Sequence, residues 1–391
     1  MVAYTFYECD NRVMRYAETL VRHGHHVDII ALADAGFQRY EVMEGVHVYR
    51  VQKRIMNEKG PFSYLRRISR FLLHSSYLLM KHSLKRKYDL VHVHNLPNFL
   101  VFSAIVPKLY GAKLVLDIHD LEPELYKTKF QSDDSAWHVR ILKCLEKMSI
   151  AFSDFVIVAN DIWHERLCQR TACQHKIMTI LNYPNLEIFH RRKRTQPCTG
   201  KFVVIYPGTM AWHHGLDIAI RAFDILKTRL PQAEFHIYGD GHEKPQLQQL
   251  VRELGLQDKV LFHGTLTLRQ VGAVLPQAHV GIEPKRKNSF ANEALSTKIF
   301  EFMATGIPVV AANTRSHTLY FDDSLVCFFE AGNPLSLAEG IIKMHDDVAY
   351  RTTLIRNASE YISKQNWEVK QFQYLQLVER LTGRSRGTEQ R

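Results

Sequence analysis

The sequence predicts an α/β protein of two doubly wound, Rossmann-like domains, each a parallel sheet wrapped by helices. Three observations carry that expectation. Short β-branched and aromatic runs alternate with stretches whose apolar residues recur at helical spacing. The alternation stops at a polar, basic stretch, HRRKRTQPCTGK (190–201), and then restarts. The length, 391 residues at about 150 per domain, leaves room for two or three such cores.

Taken in order, the first strand candidates are VAYTFY (2–7), VDIIAL (27–32), LVHVH (90–94), KLVLDI (113–118) and FVIVA (155–159). Val13, Ala17, Leu20 and Val21 mark a helix after the first of them. Asp10 or Asn11 reads as its N-cap, with Arg12 near its start. Residues 61–90 hold seven Lys/Arg against one acid, Asp89, with Leu65, Ile68, Leu72 and Leu79 near helical spacing. Such a basic amphipathic helix either covers the sheet with a solvated outer face or lies on an anionic leaflet. The second series is FVVIYPG (202–208), AEFHIYGDG (233–241), VLFHG (260–264), HVGIEP (279–284) and IPVVAA (307–312). NWEVKQFQYLQLVERL (366–381) reads as a closing helix with Trp367, Phe372, Leu375, Leu377 and Val378 for burial. The expected domains are therefore 1–190 and 200–365, followed by a helix and tail over 366–391. Ligands bind beyond the carboxyl ends of open parallel sheets, so an active site is expected in a cleft where the two domains face each other.

Composition narrows the class. With 46% hydrophobic and 23% charged residues, disorder, collagen and coiled coil are poor descriptions. The six cysteines are scattered without a C-x-x-C pair, which frames no zinc site and suits a reducing compartment. Glu8 and Asp10 interrupt the early apolar run, so no signal peptide is expected. The longest uncharged apolar-leaning stretch, 71–80, has 10 residues where about 20 are needed to span a bilayer. The expected location is cytoplasmic, with peripheral contact at the inner face of the membrane through residues 61–90 as its one membrane option. An excess of 51 Lys+Arg over 40 Asp+Glu, +11 in all, implies attraction to polyanions or phosphorylated substrates. No RNP-type run or recognition motif points to nucleic acid.

The chemistry concentrates at Glu293-Ala-Leu-Ser-Thr-Lys298-Ile-Phe-Glu301, just before FMATGIPVVAA. A helix beginning near Leu295 carries Lys298 in its first turn, where a cation adds to the positive helix terminus and makes a seat for phosphate. Glu301, in the second turn, can accept two hydroxyl donors, as a ribose diol offers. Glu293, in the preceding loop, is left to face a sugar. This reading requires both carboxylate heads to escape the interior and the helix start to face the cleft.

These residues carry a resemblance. The chain resembles the family-four retaining glycosyltransferases of the GT-B fold, in particular their bacterial surface-polysaccharide branch of exopolysaccharide and O-antigen type. The matching pieces are DNRVMRYAETLVRHGHHVDIIAL (10–32), DLVHVHNLPN (89–98), GAKLVLDIHDLEPE (111–124), YPGTMAWHHGLDIAIRAF (206–223), FHIYGDG (235–241), VLFHGTL (260–266), VGIEP (280–284) and STKIFEFMATGIPVV (296–310). The resemblance implies a nucleotide-sugar donor in the C-terminal domain and a saccharide or lipid-linked saccharide acceptor on the N-terminal one. It implies that Glu301 holds the donor ribose, Lys298 the diphosphate and Glu293 the transferred sugar near its 3- and 4-hydroxyls. Gly208 would let the backbone approach the diphosphate without a Cβ in the way. His119 matches the histidine placed beside the transferred sugar and acceptor.

Two departures from the family stand out. Many members carry an Arg and a Lys gripping the diphosphate where this chain has Thr209 and His214. Either His213 or His214 donates to the phosphate, or Lys298 and the helix terminus suffice. In the first loop ECDNR replaces a glycine-rich turn, so Asp10 and Arg12 are either capping and first-turn residues or acceptor contacts. The family generally works without a metal ion, and no cofactor or metal is expected here. Accordingly Asp117, His119, Asp120, Glu122 and Glu124 of DIHDLEPE read as a polar loop with one useful histidine. The alternatives are a nucleotide-sugar 2-epimerase of the same architecture and a non-catalytic protein that binds anionic surfaces.

Overall fold

Strands buried on both faces of a parallel sheet read as unbroken apolar runs, and such runs form the centres of two sheets in the computed structural model. The residues described are 1–33, 36, 38–53, 61–130, 132–192, 200–288 and 290–383, with the backbone alone for 61–64 and 129–130. Most of the expected linker, 193–199, lies outside the described residues.

The first unit comprises Met1–Asn182 together with the chain from Lys370 onward. Its strands are β1 (Val2–Ala3), β2 (Asp28–Ala33), β3 (Tyr40–Met43), β4 (Val46–Lys53), β5 (Leu90–His94), β6 (Lys113–Ile118), β7 (Phe155–Val158) and β8 (Ile177–Thr179). They lie in the order β3-β4-β2-β1-β5-β6-β7-β8. All pairs are parallel except the β3–β4 hairpin at one edge. The helices are α1 (Asn11–Arg22), α2 (Pro61–Lys85), α3 (Ile105–Leu109), α4 (Glu122–Phe130), α5 (Trp137–Phe152) and α6 (Asp161–Arg170). The first strand is shorter than VAYTFY suggests, because the chain turns into a 3-10 segment at Tyr7–Cys9 before α1.

The second unit is Tyr183–Val369. Strands β9 (Phe202–Pro207), β10 (Ala233–Tyr238), β11 (Val260–His263), β12 (Val280–Glu283), β13 (Val309–Ala312) and β14 (Cys327–Phe329) form an all-parallel sheet in the order β11-β10-β9-β12-β13-β14. Helices α7 (Leu216–Arg229), α8 (Lys244–Glu253), α9 (Leu268–Val274), α10 (Thr297–Thr305), α11 (Arg315–Tyr320), α12 (Pro334–Asp346) and α13 (Val348–Lys364) complete it. The winding reverses between β9 and β12, and a crevice opens beyond the carboxyl ends of strands at such a switch point. The unit begins before residue 190 because Tyr183, Ile188 and Phe189 are buried, with the Tyr183 ring 6.4 Å from that of Phe300.

The last helix, α14 (Trp367–Thr382), starts in the second unit and ends in the first. Trp367, Tyr374, Leu377 and Val378 are buried, whereas Phe372 is 49% exposed and Leu375 only half-buried. The correction follows from helical phase: 367, 374 and 378 share a stripe that excludes 372. Tyr374 instead anchors the helix, its hydroxyl 2.9 Å from His92 Nδ1 and its ring 4.3 Å from that of Tyr16. Among the described residues no helix is long and apolar enough to cross a membrane.

Candidate active site

Strand β9 runs into the turn 208–215, which leads to α7. Two backbone bonds fix it to the next strand's exit: Gly208 N–H donates to Tyr238 O (2.8 Å) and Met210 N–H to Asp240 O (2.9 Å). Gly215, at φ +67°, ends the turn, and a Cβ there would sit 2.1 Å from the Pro284 carbonyl oxygen. Only glycine lets the turn lie this close to the residue following β12. Gly208, at φ +153°, is the second position whose backbone favours glycine.

Strand β12 ends in Glu283, fully buried, followed by Pro284 and Lys285. Lys298 Nζ lies 3.1 Å from Glu283 Oε2 and 5.1 Å above the Tyr206 ring. Burial pushes the Glu283 carboxyl up, but Lys298 and Lys285 outweigh it and hold the group below its ordinary value. Lys285 is itself buried and donates to the Ala294 carbonyl at 2.7 Å, which pins the loop that carries Glu293. Helix α10 begins at Thr297, two residues beyond Leu295, with Lys298 in its first turn and Glu301 in its second. The Ser296 side chain makes no cap bond to this helix, and its hydroxyl is buried without a hydrogen-bond partner among the described residues.

Glu301 is 8% exposed and Glu293 6%. Both heads are thus buried, against the requirement of the sequence reading that they escape the interior, because β12, the 284–296 loop and α10 close around them. Their neighbours are ionic rather than apolar. Burial, opposed by Lys298 and reinforced by Glu283, pushes Glu301 up to about 7, and Glu293 Oε1 lies 3.7 Å from Arg315.

The His213 and His214 ring centroids lie 4.2 Å apart, with their planes tilted by 45°. Burial, with Lys285 and Lys298 nearby, pushes His213 down to about 4. Burial with Lys298 and His213 holds His214 well below its ordinary value. Both rings are therefore neutral near pH 7, and His214 Nδ1 is buried without a hydrogen-bond partner among the described residues. The Thr209 side chain is exposed; its carbonyl accepts from the Tyr206 hydroxyl at 3.1 Å. Sequence reasoning missed Glu283 and Lys285. The available signal was a charged residue closing an apolar parallel strand at its ligand-facing end.

In the first unit the two loop residues take structural places. Asp10 caps α1, its Oδ1 accepting the N–H groups of Arg12 and Val13 at 3.1 Å each. Arg12 is turned inward, 4% exposed, with Nε and Nη2 on Asp117 (2.7 and 2.6 Å) and Nη1 on Ile180 O and Asn182 Oδ1. An inward guanidinium with its donors committed does not serve an acceptor, which corrects that expectation for Arg12.

His119 follows β6, half-buried; its N–H donates to Asn95 Oδ1 at 2.9 Å, and its Nε2 has no partner among the described residues. The rest of DIHDLEPE disperses. Asp117 is shared between Arg12 and His94, Glu122 accepts from the Asn98 N–H, and Glu124 pairs with Arg166 and Arg170. Among the described residues, His92, His94 and Asp117 come close enough to share an ion, as do His26, Asp28 and His47. Neither group includes His119.

Comparison with known proteins fits this geometry. Residues 9–182 match the family described as "Glycosyl transferase 4-like domain", and residues 188–361 match "Glycosyl transferases group 1". One match falls on each unit, in sequence order. The chain belongs to the glycosyltransferases of the GT-B fold.

Among its relatives, "Uncharacterized glycosyltransferase MJ1607" of Methanocaldococcus jannaschii is 25% identical over 90% of this chain and 89% of its own. The "Lipopolysaccharide core biosynthesis glycosyltransferase LpsD" of Rhizobium meliloti is 31% identical over 41% of this chain and 43% of its own. The sucrose-phosphate synthase structure from Thermosynechococcus elongatus shares the fold with a TM-score of 0.77, at 20% identity, over 98% of this chain and 99% of that one. Anabaena Alr3699/HepE, solved in complex with UDP-glucose, shares it with a TM-score of 0.73, at 16% identity, over 96% and 98%.

Proposed function

We propose that the protein is a retaining hexosyltransferase that moves a sugar from a nucleotide-sugar donor to a saccharide or lipid-linked saccharide acceptor in surface-polysaccharide biosynthesis. Its place of work is the cytoplasm, including the inner face of the membrane. The observation that carries the donor half is the polar cluster at the switch point of the second unit. There Lys298, the start of α10 and the unpartnered atoms of Ser296 and His214 gather beyond the ends of β9 and β12. Two lysines and a helix terminus make an anion seat, and the UDP-glucose bound to the Anabaena protein supports a nucleoside-diphosphate sugar as its occupant. The likeness to the Rhizobium lipopolysaccharide-core enzyme supports the polysaccharide half.

In this reading Lys298 and the α10 amides take the charge that grows on the diphosphate as the glycosidic bond breaks, a preorganised arrangement that usually contributes most to such catalysis. Glu283 positions Lys298. His214 donates to the diphosphate from a neutral ring, and Gly208 and Thr209 supply backbone beside it. Glu301 accepts from the ribose hydroxyls, and Glu293 from the sugar. The acceptor hydroxyl attacks the anomeric carbon on the face the diphosphate leaves. Its oxygen forms the new C–O bond and its proton passes to the departing phosphate oxygen, with His119 on the acceptor side. No enzymic nucleophile and no metal ion take part.

The test is incubation with a panel of nucleotide sugars and acceptors. Acceptor-dependent release of nucleoside diphosphate, unchanged by EDTA, is expected. Donor conversion without acceptor would indicate the 2-epimerase, and neither reaction the surface-binding protein. Trapping a glycosyl adduct on Glu293 would overturn the mechanism.

A further inference from the structure

The first unit gathers two histidines and an aspartate at a place the transfer reaction does not use. His26 and Asp28 stand two residues apart where the chain extends into β2, so their side chains share one face of the sheet. Strand β4 runs parallel to β2 with His47 opposite Asp28, and the His47 N–H donates to Val27 O at 2.9 Å, which holds that register. His26 Nε2 lies 3.0 Å from Asp28 Oδ1, and the His26 and His47 ring centroids lie 4.4 Å apart. One ligand atom from each of the three falls within 4.8 Å of the others. These are the amino ends of parallel strands, whereas a doubly wound sheet binds its substrates beyond the carboxyl ends.

Neighbouring hydroxyls orient the three groups. The Tyr88 hydroxyl donates to Asp28 Oδ2 at 2.7 Å, which leaves Oδ1 toward His26. The Tyr40 hydroxyl lies 2.8 Å from His47 Nδ1, which commits that nitrogen and leaves Nε2. Outer partners of this kind fix the tautomer and ring orientation of metal-binding side chains. A tetrahedral ion with bonds of about 2.0–2.2 Å holds its ligand atoms roughly 3.3 Å apart. The separation between His26 and Asp28 is close to that already, and the His26 side chain, 38% exposed, has room to turn. The other trio, His92, His94 and Asp117, fails the same test. Arg12 donates to both Asp117 oxygens, at 2.6 and 2.7 Å, and a buried guanidinium there repels a cation.

The donor set selects the ion. Two imidazoles with one carboxylate suit zinc and its transition-metal neighbours, whereas magnesium and calcium take oxygen ligands. We propose that His26, Asp28 and His47 form a zinc-type divalent-metal site, with its fourth position left to water. The ion ties β2 to β4 and, through Tyr40 on His47, to the edge strand β3. Its role is to brace that edge of the sheet. It takes no part in sugar transfer, so the site stands independently of the transferase reading.

The experiment is calorimetric titration of the full chain, untagged and stripped with chelator, with zinc chloride, and with cobalt chloride as an optical probe. Saturable binding of one zinc per chain is expected, with a melting temperature raised by zinc and not by magnesium. Cobalt should give visible d–d bands that added zinc bleaches. Tyr40→Phe should weaken zinc binding by about tenfold, and His26→Gln and His47→Gln by more. Because the His26 side chain is 38% exposed, His26→Gln should melt like the parent in the absence of metal, which keeps the test valid should Asp28→Asn fail to fold. His175→Gln, exposed on the 3-10 turn before β8 at the far edge of the sheet, should change nothing. No saturable zinc binding, binding or cobalt bands unmoved by His26→Gln and His47→Gln, or equal displacement by magnesium would overturn the site. Binding lost with His175→Gln and kept in the other variants would assign the metal to scattered surface histidines and equally overturn it.

Discussion

Glu301 holds its proton up to about pH 7 in the folded chain, well above its ordinary range. Between that range and about 7 the folded state binds more protons than the unfolded one, so stability falls as pH rises through this window. In the proposed donor site the charged form is the one that would accept two ribose hydroxyls, so donor KM is expected to fall as pH rises through about 7. Glu301→Gln should raise donor KM about tenfold or more, a charged hydrogen bond contributing about 1.5–3 kcal/mol, and should flatten its pH dependence. A variant with the parental pH profile would remove the ribose role. His214→Ala should raise donor KM with kcat little changed if its ring donates to the diphosphate as proposed, since its buried Nδ1 has no hydrogen-bond partner among the described residues; an unchanged KM would take His214 out of the site. Asp117→Ala tests the inward Arg12. Stranding that buried cation should cost about 3–5 kcal/mol in denaturant unfolding, whereas an acceptor contact would show in acceptor KM with stability kept. The helix that carries Lys298 and Glu301 was legible from its local apolar pattern and from the turn and strand that follow it. Glu283 was not, since a strand-end carboxylate gains its meaning only from the lysine that folds onto it.

At the scale of elements, turns and caps hold the second-unit site and the first-unit entry in place. Gly215→Ala combines a left-handed φ with a contact of 2.1 Å to backbone. It should lower the unfolding midpoint by more than the usual cost of about 1 kcal/mol for such a position and raise donor KM, since the turn must lift off Pro284. Asp10→Ala should cost about 1 kcal/mol through the lost N-cap, leaving acceptor KM unchanged if capping is its whole role. The central strands were readable as apolar runs. The edge hairpin β3–β4 was not: β4 alternates buried and partly exposed residues and β3 is half exposed, so neither has the signature of a two-sided buried strand. The short strands β8 and β14, three residues each, are set by the sheet they join rather than by their own pattern.

At the scale of the molecule, the chain passes from one unit to the other after Asn182 and returns within α14. If the donor seat belongs to the second unit, nucleoside diphosphate should protect amides of 208–215 and α10 from hydrogen exchange. It should also raise stability by about 2.7 kcal/mol at a hundredfold excess over Kd; protection confined to the first unit would refute the assignment. The sequence by itself determined the α/β class, the two series of strands, and the helix bearing Lys298 and Glu301. Each of these rests on local periodicity and on residues close along the chain. Only the tertiary structure decided the pairing of Lys298 with Glu283, the inward turn of Arg12 onto Asp117, the enclosure of both glutamates, and the meeting of His26 and Asp28 with His47. Burial and charge pairing are properties of space, and residues 105 apart, as Arg12 and Asp117 are, become partners only when a sheet brings them together.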